Sequence, residues 1–564
     1  MSNFVISLVL FSSLLAPSAL KEARLSMPRR AAEIGSGSQK LRLLNVEDYI
    51  YEQDPEDEES AKNLVHQFED YARELGYENV EVSYATTDTP ESMFNEVKIS
   101  PNNFDLICPS DYMIQKLIVN DMLEPMHIDE EHMPNYFQNA SSIKDRLDAI
   151  SAVNSVTKET CYLKDYAVGY MWGTLGILFD PEYGGRDAEK TIEDMQDWSV
   201  LWNPDYKGIS SIKDSVRDTY AIGLLNALNE DFEENGEVIE GFKTLMEKHN
   251  EGVYDDQEYN EKFSELFNKC DNVTLGKVKN SLTKLKGNVF GMEVDSGKQD
   301  IVTGKIGINF AWSGDAVYSM EQAEAEKDLE LYYSIPNTGS NLWMDAWCMP
   351  KSSQRSPAQK ELAELFLDFL SIPEYTAQNM DYTGYTPFTA GNEILDLTRE
   401  WYDYRYDEET EEFDDSIPTE EEIAELGLQR VDLSYFFEGT ILDEDGNIDD
   451  NEENYVFYTD CYLPNADTDK EGNIVGGNRA VGREFFCQFP DEKTLARCAV
   501  MRDFGSQNDA VLKMWEKFKS DALPVWAIVL FVIEIAAGLA LVGYFFVGNR
   551  IKHSLRKKRK ESSK

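Results

Sequence analysis

The sequence predicts an α/β protein built on a largely parallel sheet, with its body outside the cytoplasmic membrane and one C-terminal membrane helix. Three observations predict it. Apolar runs of strand length alternate with helical periodicity from Leu41 to Cys108, and a second alternating stretch runs from about Tyr170 to Tyr333. Val525–Val547 is a 23-residue apolar run holding one ionisable group, Glu534. Strand–helix–strand order is the signature of a parallel sheet, in which ligands sit beyond the carboxyl ends of the strands.

Taken in order, Val5–Leu15 is apolar and is followed by small residues at Ala16, Ser18 and Ala19, the pattern of a signal sequence or N-terminal anchor at 1–22, although no positive charge precedes the run. Residues 23–39 are small and polar and read as a linker. Leu41–Val46 is a short apolar strand; Leu64, Val65, Phe68, Tyr71 and Leu75 recur at helical spacing and end at Gly76. Val80–Tyr84 alternates as a strand, Glu91–Val97 is a short helix and Phe104–Cys108 a buried strand. In the second stretch, strands are expected at Met171–Phe179, Ile209–Ile212, Val289–Met292 and Ile306–Ala311, with helices such as Ser215–Leu228 and Val238–Lys248 between them. Trp343–Met349 is a further strand, Pro357–Leu370 a strong helix and Ala510–Phe518 an amphipathic one. Residues 391–460 carry 25 acids against three bases, yet keep aromatics such as Trp401, Tyr402, Phe436 and Phe437; they read as a decorated, partly ordered insertion. After Val525–Val547, long enough to span a bilayer with some tilt, basic residues outnumber the lone Glu561 by eight to one, which places the tail in the cytoplasm.

Composition excludes several classes. With 53 Lys+Arg against 105 Asp+Glu the formal net charge is −52, so no nucleic-acid partner is expected. The seven cysteines form no CxxC pair and no metal-ligand spacing; Cys108 and Cys348 sit in strand-like runs as small core residues. The five histidines assemble no catalytic constellation, and neither a phosphate-binding loop nor a GxSxG elbow is present. The sequence offers no nucleophile, no cofactor motif and no metal site, so no enzyme activity is expected of it. Asp467–Ile474 matches the first half of a calcium loop, but position twelve is Asn478 instead of a bidentate Glu, so it reads as a turn between two strands, as does Asp443–Gly446.

The tips of the expected strands share a chemistry. Asn45-Val46-Glu47-Asp48-Tyr49, Pro109-Ser110-Asp111-Tyr112, Lys213 to Asp218, Trp312-Ser313-Gly314-Asp315 and Trp343-Met344-Asp345 each bring an aromatic, a carboxylate or both. Aromatic faces and carboxylates are what an organic ammonium ion needs, through cation–π attraction and charge-assisted hydrogen bonds. Any one tip taken alone fits better an ordinary core aromatic beside a helix N-cap, Asp214 or Ser215 being the cap and Asp218 lying in the first turn; five together point to a ligand site.

The pieces NVEDYIY, FDLICPSDYMIQKL, YMWGTLGILFD, DWSVLWNPDYKGISSIKDSVRD, FAWSGDAV, LWMDAWCMP and TGYTPFT resemble, in order and spacing from Leu41 to about Thr389, the spermidine/putrescine-binding proteins of bacterial ABC importers. That resemblance implies a two-lobed periplasmic-binding-protein (type II) fold with crossover hinge strands that closes over its ligand. By motif position, Tyr49, Ser110 and Tyr112 correspond to first-lobe contacts and Asp218 to an ammonium partner on the second lobe. Trp312 corresponds to the aromatic along the methylene chain, Trp343 and Asp345 to the crossover aromatic and amine-gripping carboxylate, and Tyr385 to the late tyrosine. Two positions depart: a frequent Trp is Val46, and a frequently acidic position is Ser215; Glu47 is a candidate to compensate. Implied partners are a polyamine, an ABC permease and its ATPase subunits. The expected organisation is 40–165 and 343–390 as lobe 1, 166–342 as lobe 2, 391–498 as the acidic insertion, 499–520 as a closing helix, 525–547 as the membrane helix and 548–564 as the tail. The competing reading is a membrane-anchored sensor of polyamine or another small cation, or a binding protein for a different small solute.

Overall fold

The run AVGYMWGTLGILF forms one strand, Ala167–Phe179, buried along its whole length, and the fold is organised around it. In the computed structural model, which describes residues 39–54, 60–77, 79–407, 409–443, 445–449 and 451–520, this strand crosses between two lobes. Its first half, Ala167–Thr174, pairs antiparallel with the return strand Ser340–Cys348; its last half, Leu175–Phe179, pairs with Ile308–Trp312. A strand whose two faces are both covered needs apolar side chains throughout, which is why no polar–apolar alternation is visible in it.

The first lobe adds Leu106–Ile107, Gln39–Val46 and Val80–Thr87 outside the return strand, Gln39–Val46 lying parallel to both of its neighbours. The second adds Ser210–Lys213 and Gly291–Glu293 outside Ile308–Trp312, again parallel. Helices cover these faces. Leu64–Glu74 buries Leu64, Val65, Phe68 and Ala72, and Phe68 packs edge-on against Phe366 of the helix Pro357–Phe369, 5.0 Å between centroids. That second helix opens on a Ser356–Gln359 capping box with Pro357 at its first position, which satisfies otherwise orphaned N–H groups.

Two sequence expectations change. Helical periodicity over Val238–Lys248 begins only at Phe242; Glu237–Ile239 is instead one arm of a hairpin with Phe232–Glu234. Its two turn residues, Asn235 and Gly236, take φ of 53° and 86°, the left-handed pair that an Asn-Gly turn supplies and a helix cannot hold. The acidic stretch after 391 is more than decoration. Its hairpins Gln429–Asp432/Val456–Thr459 and Ala466–Thr468/Ile474–Gly477 are folded, and the latter places Asp469–Asn473 at a turn between strands. Val481–Gly482 joins the main sheet beside Tyr332–Ser334, and Cys498–Ala499 joins it beside Ser340–Asn341. Most of the acids face solvent, Asp403 being a buried exception paired with Arg405 at 2.8 Å, while Phe436, Phe437, Phe457, Tyr462, Phe485 and Phe489 share one hydrophobic cluster with Trp172 of the crossover strand.

The chain divides into two units, 1–508 and 509–564. The second is described only through Ser520 and holds most of the helix Asn508–Lys519, where Val511, Met514, Trp515 and Phe518 recur at helical spacing. The leader, most of the linker, the apolar run 525–547 and the basic tail lie outside the described residues; among the described residues no helix is long and apolar enough to cross a membrane.

Candidate functional site

Where the two crossover strands pair, the register slips between Asp345 and Ala346: Asp345 faces Met171 and Ala346 faces Gly169, leaving Tyr170 as the extra residue. Such bulges re-aim side chains beside sites. Here Tyr170 donates its hydroxyl to the Tyr49 carbonyl at 2.6 Å, and Tyr49 donates its own to Asp345 Oδ2 at 2.8 Å. Asp345 Oδ1 is buried and has no hydrogen-bond partner. Ser110 forms an isolated antiparallel bridge with Asp345. Burial pushes the Asp345 carboxyl up to about 6, although the Ser110 and Tyr49 hydroxyls favour the anion. A carboxylate desolvated without a cation is the reason.

Aromatic rings wall this carboxylate. Tyr49 packs edge-on against Tyr170 at 5.4 Å and Tyr385 at 5.2 Å, and Tyr385 against Trp343 at 5.5 Å. Trp343 is anchored by its indole N–H to the Thr174 carbonyl at 3.1 Å. Two glycines make room: a Cβ on Gly173 would stand 2.6 Å from the Trp343 ring, and one on Gly314 would stand 2.4 Å from the Tyr385 ring.

Tyr385 continues the chain of contacts into the second lobe. Its hydroxyl donates to Asp315 Oδ1 at 2.7 Å, while Asp315 Oδ2 accepts from Lys213 Nζ at 3.0 Å. Lys213 is fully buried, pairs also with Glu293 at 3.2 Å and stands 4.2 Å from the centroid of the Trp312 ring. Burial opposes both charges, yet each is held in its ionised form: Asp315 is drawn below the ordinary carboxylate value by Lys213 and Lys298, and Lys213 above the ordinary ammonium value by Asp315 and Glu293.

A second group of residues meets across the lobes. Tyr112 donates to Glu91 Oε1 at 3.2 Å, and the Arg217 guanidinium of the second lobe lies over the Tyr112 ring at 5.2 Å and the Phe504 ring at 3.8 Å. Asp218 is 8% exposed; burial first and the nearby Glu91 charge after it push its carboxyl up to about 6.

The structure thus brings Tyr49, Ser110, Trp343, Asp345 and Tyr385 into one contiguous group, reaches Trp312 through Asp315 and Lys213, and sets Tyr112 and Asp218 in the second group. Ser215 is spent as a helix N-cap, its hydroxyl accepting from the Asp218 N–H at 3.4 Å. Glu47 is exposed and stands outside the assembled group. Sequence reasoning missed Tyr170, Glu91 and Glu293, and it placed Lys213 and Asp315 in strand tips without giving either a role. The signal for Lys213 and for Asp315 was their place in strand tips already singled out, Lys213 at the end of Ser210–Lys213 and Asp315 three residues beyond Trp312.

Comparison with known proteins agrees with this architecture. Residues 63–394 match the family of bacterial extracellular solute-binding proteins. The chain is 23% identical over 329 residues to the spermidine/putrescine-binding periplasmic protein of Escherichia coli strain K12, covering 58% of this chain and 75% of that protein. It is 21% identical over 317 residues to a putrescine-binding periplasmic protein of Pseudomonas aeruginosa, covering 56% and 72%. Among solved structures, a putative spermidine/putrescine ABC transporter protein from Listeria monocytogenes superposes with a TM-score of 0.50 at 20% identity, covering 86% of this chain and 99% of that one. That likeness is one of fold, and its extent carries it past residue 394 into the acidic segment. With more than half of its length matched and its two lobes joined by crossover strands, the chain belongs to the bacterial extracellular solute-binding protein family.

Proposed function

We propose that this solute-binding protein captures a polyamine of the spermidine/putrescine class between its lobes and delivers it, chemically unchanged, to an ABC permease driven by its ATPase subunits. The observation that carries the reading is Asp345: a half-buried residue whose carboxylate has one oxygen on Tyr49 and the other buried without a partner, walled by Tyr49, Trp343 and Tyr385. An ammonium ion entering there exchanges water for a full anion and for ring faces, each contact being stronger out of water. Asp218, beside Glu91 and Tyr112, offers a second anionic end for the same ligand. The names of the relatives from Escherichia coli and Pseudomonas aeruginosa point to the same ligand class. In this reading 525–547 holds the protein at the cell membrane with its body extracytoplasmic and its basic tail in the cytoplasm.

The test is the melting temperature of the full chain with putrescine, spermidine, amino acids and neutral sugars. Putrescine or spermidine raises it and sugars do not; at a hundredfold excess over Kd the gain is about 2.7 kcal/mol. Equal stabilisation by a sugar refutes the polyamine reading.

A further inference from the structure

The cleft holds two carboxylates in the same setting, each capped by a tyrosine hydroxyl: Asp345 by Tyr49 at 2.8 Å and Asp315 by Tyr385 at 2.7 Å, with the two tyrosine rings edge to face at 5.2 Å. They differ in what else they meet. Asp345 Oδ1 has no partner, whereas Asp315 Oδ2 meets the Lys213 ammonium. That ammonium also covers the Trp312 ring at 4.2 Å and pairs with Glu293. Its side chain is 1% exposed, so it is fixed there. Lys298 adds a second cation at this end, 2.8 Å from Asp295 and 3.9 Å from Asp315.

We propose that Lys213 is a built-in ammonium occupying one of the cleft's cation positions, and that it determines specificity by denying the Trp312–Asp315 end to a ligand's own ammonium. Replacing a buried ion group by apolar residues of similar volume often leaves a fold as stable or more so, so a lysine between two carboxylates at a binding cleft is not explained by stability. As a specificity device it acts by repulsion: an amine with one cation more than Asp345 and Asp218 accept must bring it against Lys213 and Lys298, whereas a shorter diamine need not. This inference rests on the polyamine reading and names which members of that class the site admits.

Calorimetric titration of the full chain with putrescine, spermidine and spermine, as wild type and as Lys213→Met and Lys213→Arg, tests it. In Lys213→Met the affinity for spermidine and spermine relative to putrescine rises at least tenfold, because Glu293 then lacks a cation and Asp315 keeps only Lys298 at 3.9 Å; in Lys213→Arg the ratio stays as in the wild type. A ratio in Lys213→Met within twofold of the wild type overturns the inference. Should Lys213→Met not fold, Lys213→Ala is melted with propylammonium and with neutral propanol. A rise of several degrees with propylammonium alone, absent in the wild type, supports a cation position reachable from the cleft, and no rise overturns it. A wild type that binds none of the three amines refutes the polyamine reading, an outcome separate from an unchanged ratio.

Discussion

Asp345→Asn changes stability and affinity in opposite directions. The carboxyl stands at about 6 in the folded chain against 3.8 for a free aspartate. Because the folded value is the higher one, ionisation disfavours the fold: stability from this group is full below pH about 4 and is lost as pH rises through about 6. At about 1.36 kcal/mol for each pH unit between the two values, the penalty at pH 7 is about 3 kcal/mol. The amide removes it but leaves an N–H without an acceptor where Oδ1 stood, at a cost of about 1 kcal/mol. The net gain is about 2 kcal/mol. With an unfolding entropy of roughly 2.1 cal/mol/K per residue over roughly 470 residues, that raises the unliganded Tm by about 2 °C at pH 7, whereas at pH 4, where the penalty has nearly vanished and the cost of the unpaired N–H remains, the Tm falls by about 1 °C or less. For an amine ligand the same change removes one partner of a desolvated charge pair, worth roughly 2–5 kcal/mol, so affinity falls at least about thirtyfold. Differential scanning calorimetry at the two pH values and titration calorimetry at about 0.15 M salt measure both effects. A lower unliganded Tm at pH 7 shows that the carboxylate already has its cation within the fold, and wild-type affinity shows that ligand does not reach it; either refutes the reasoning.

Binding of a cation depends on pH with the opposite sign to that stability. With Asp345 and Asp218 both near 6 in the free protein, affinity is full above pH about 6 and drops about tenfold per carboxylate by pH 5, and titrations at pH 6 in buffers of different ionisation enthalpy show proton release on binding. Gly314→Ala puts a Cβ 2.4 Å from the Tyr385 ring, so the ring must move off Asp315 and amine affinity falls at least tenfold while the secondary structure by circular dichroism is unchanged. Glu420→Gln, in an exposed pair with Lys470 at 2.7 Å, changes affinity less than about threefold, since an exposed charge is largely screened.

Much of the sheet was legible because its crossover strand Ala167–Phe179 is apolar along nearly its whole length and its helices are capped by residues that state their role, such as Ser356-Pro357. The site residues at the strand tips were legible for the same reason: a polar or aromatic residue just past an apolar run marks the sheet's carboxyl edge. What escaped was whatever depends on contacts distant in sequence. Val481–Gly482 joins Tyr332–Ser334 across some 150 residues, and no local pattern in a two-residue strand announces that. The acid count after 391 reads as solvated surface because it is dominated by exposed side chains, while Tyr402 stacks on Phe485 at 4.6 Å beneath them. Asn235-Gly236 was legible and was outweighed by the helical spacing around it, although a two-residue left-handed turn is the stronger constraint.

The clearest case of information absent from sequence is the pair Asp315 and Asp345. Both are aspartates two or three residues past a tryptophan, Asp315 is buried and Asp345 half-buried, and both accept a tyrosine hydroxyl. From sequence they are interchangeable candidates for gripping an amine. The fold separates them by supplying a cation to one only: Lys213 draws Asp315 below the ordinary carboxylate value, and nothing comparable reaches Asp345, which burial pushes up. A carboxylate that is satisfied within the fold gains little from an incoming ammonium and must first surrender the one it has. In the proposed function a carboxylate desolvated without a cation has that interaction still to make, and an ammonium arriving from solution offsets part of what burial costs it. Under the proposed function the partners that the fold supplies, a lysine for Asp315 and hydroxyls only for Asp345, and not proximity to an aromatic, separate the two acids.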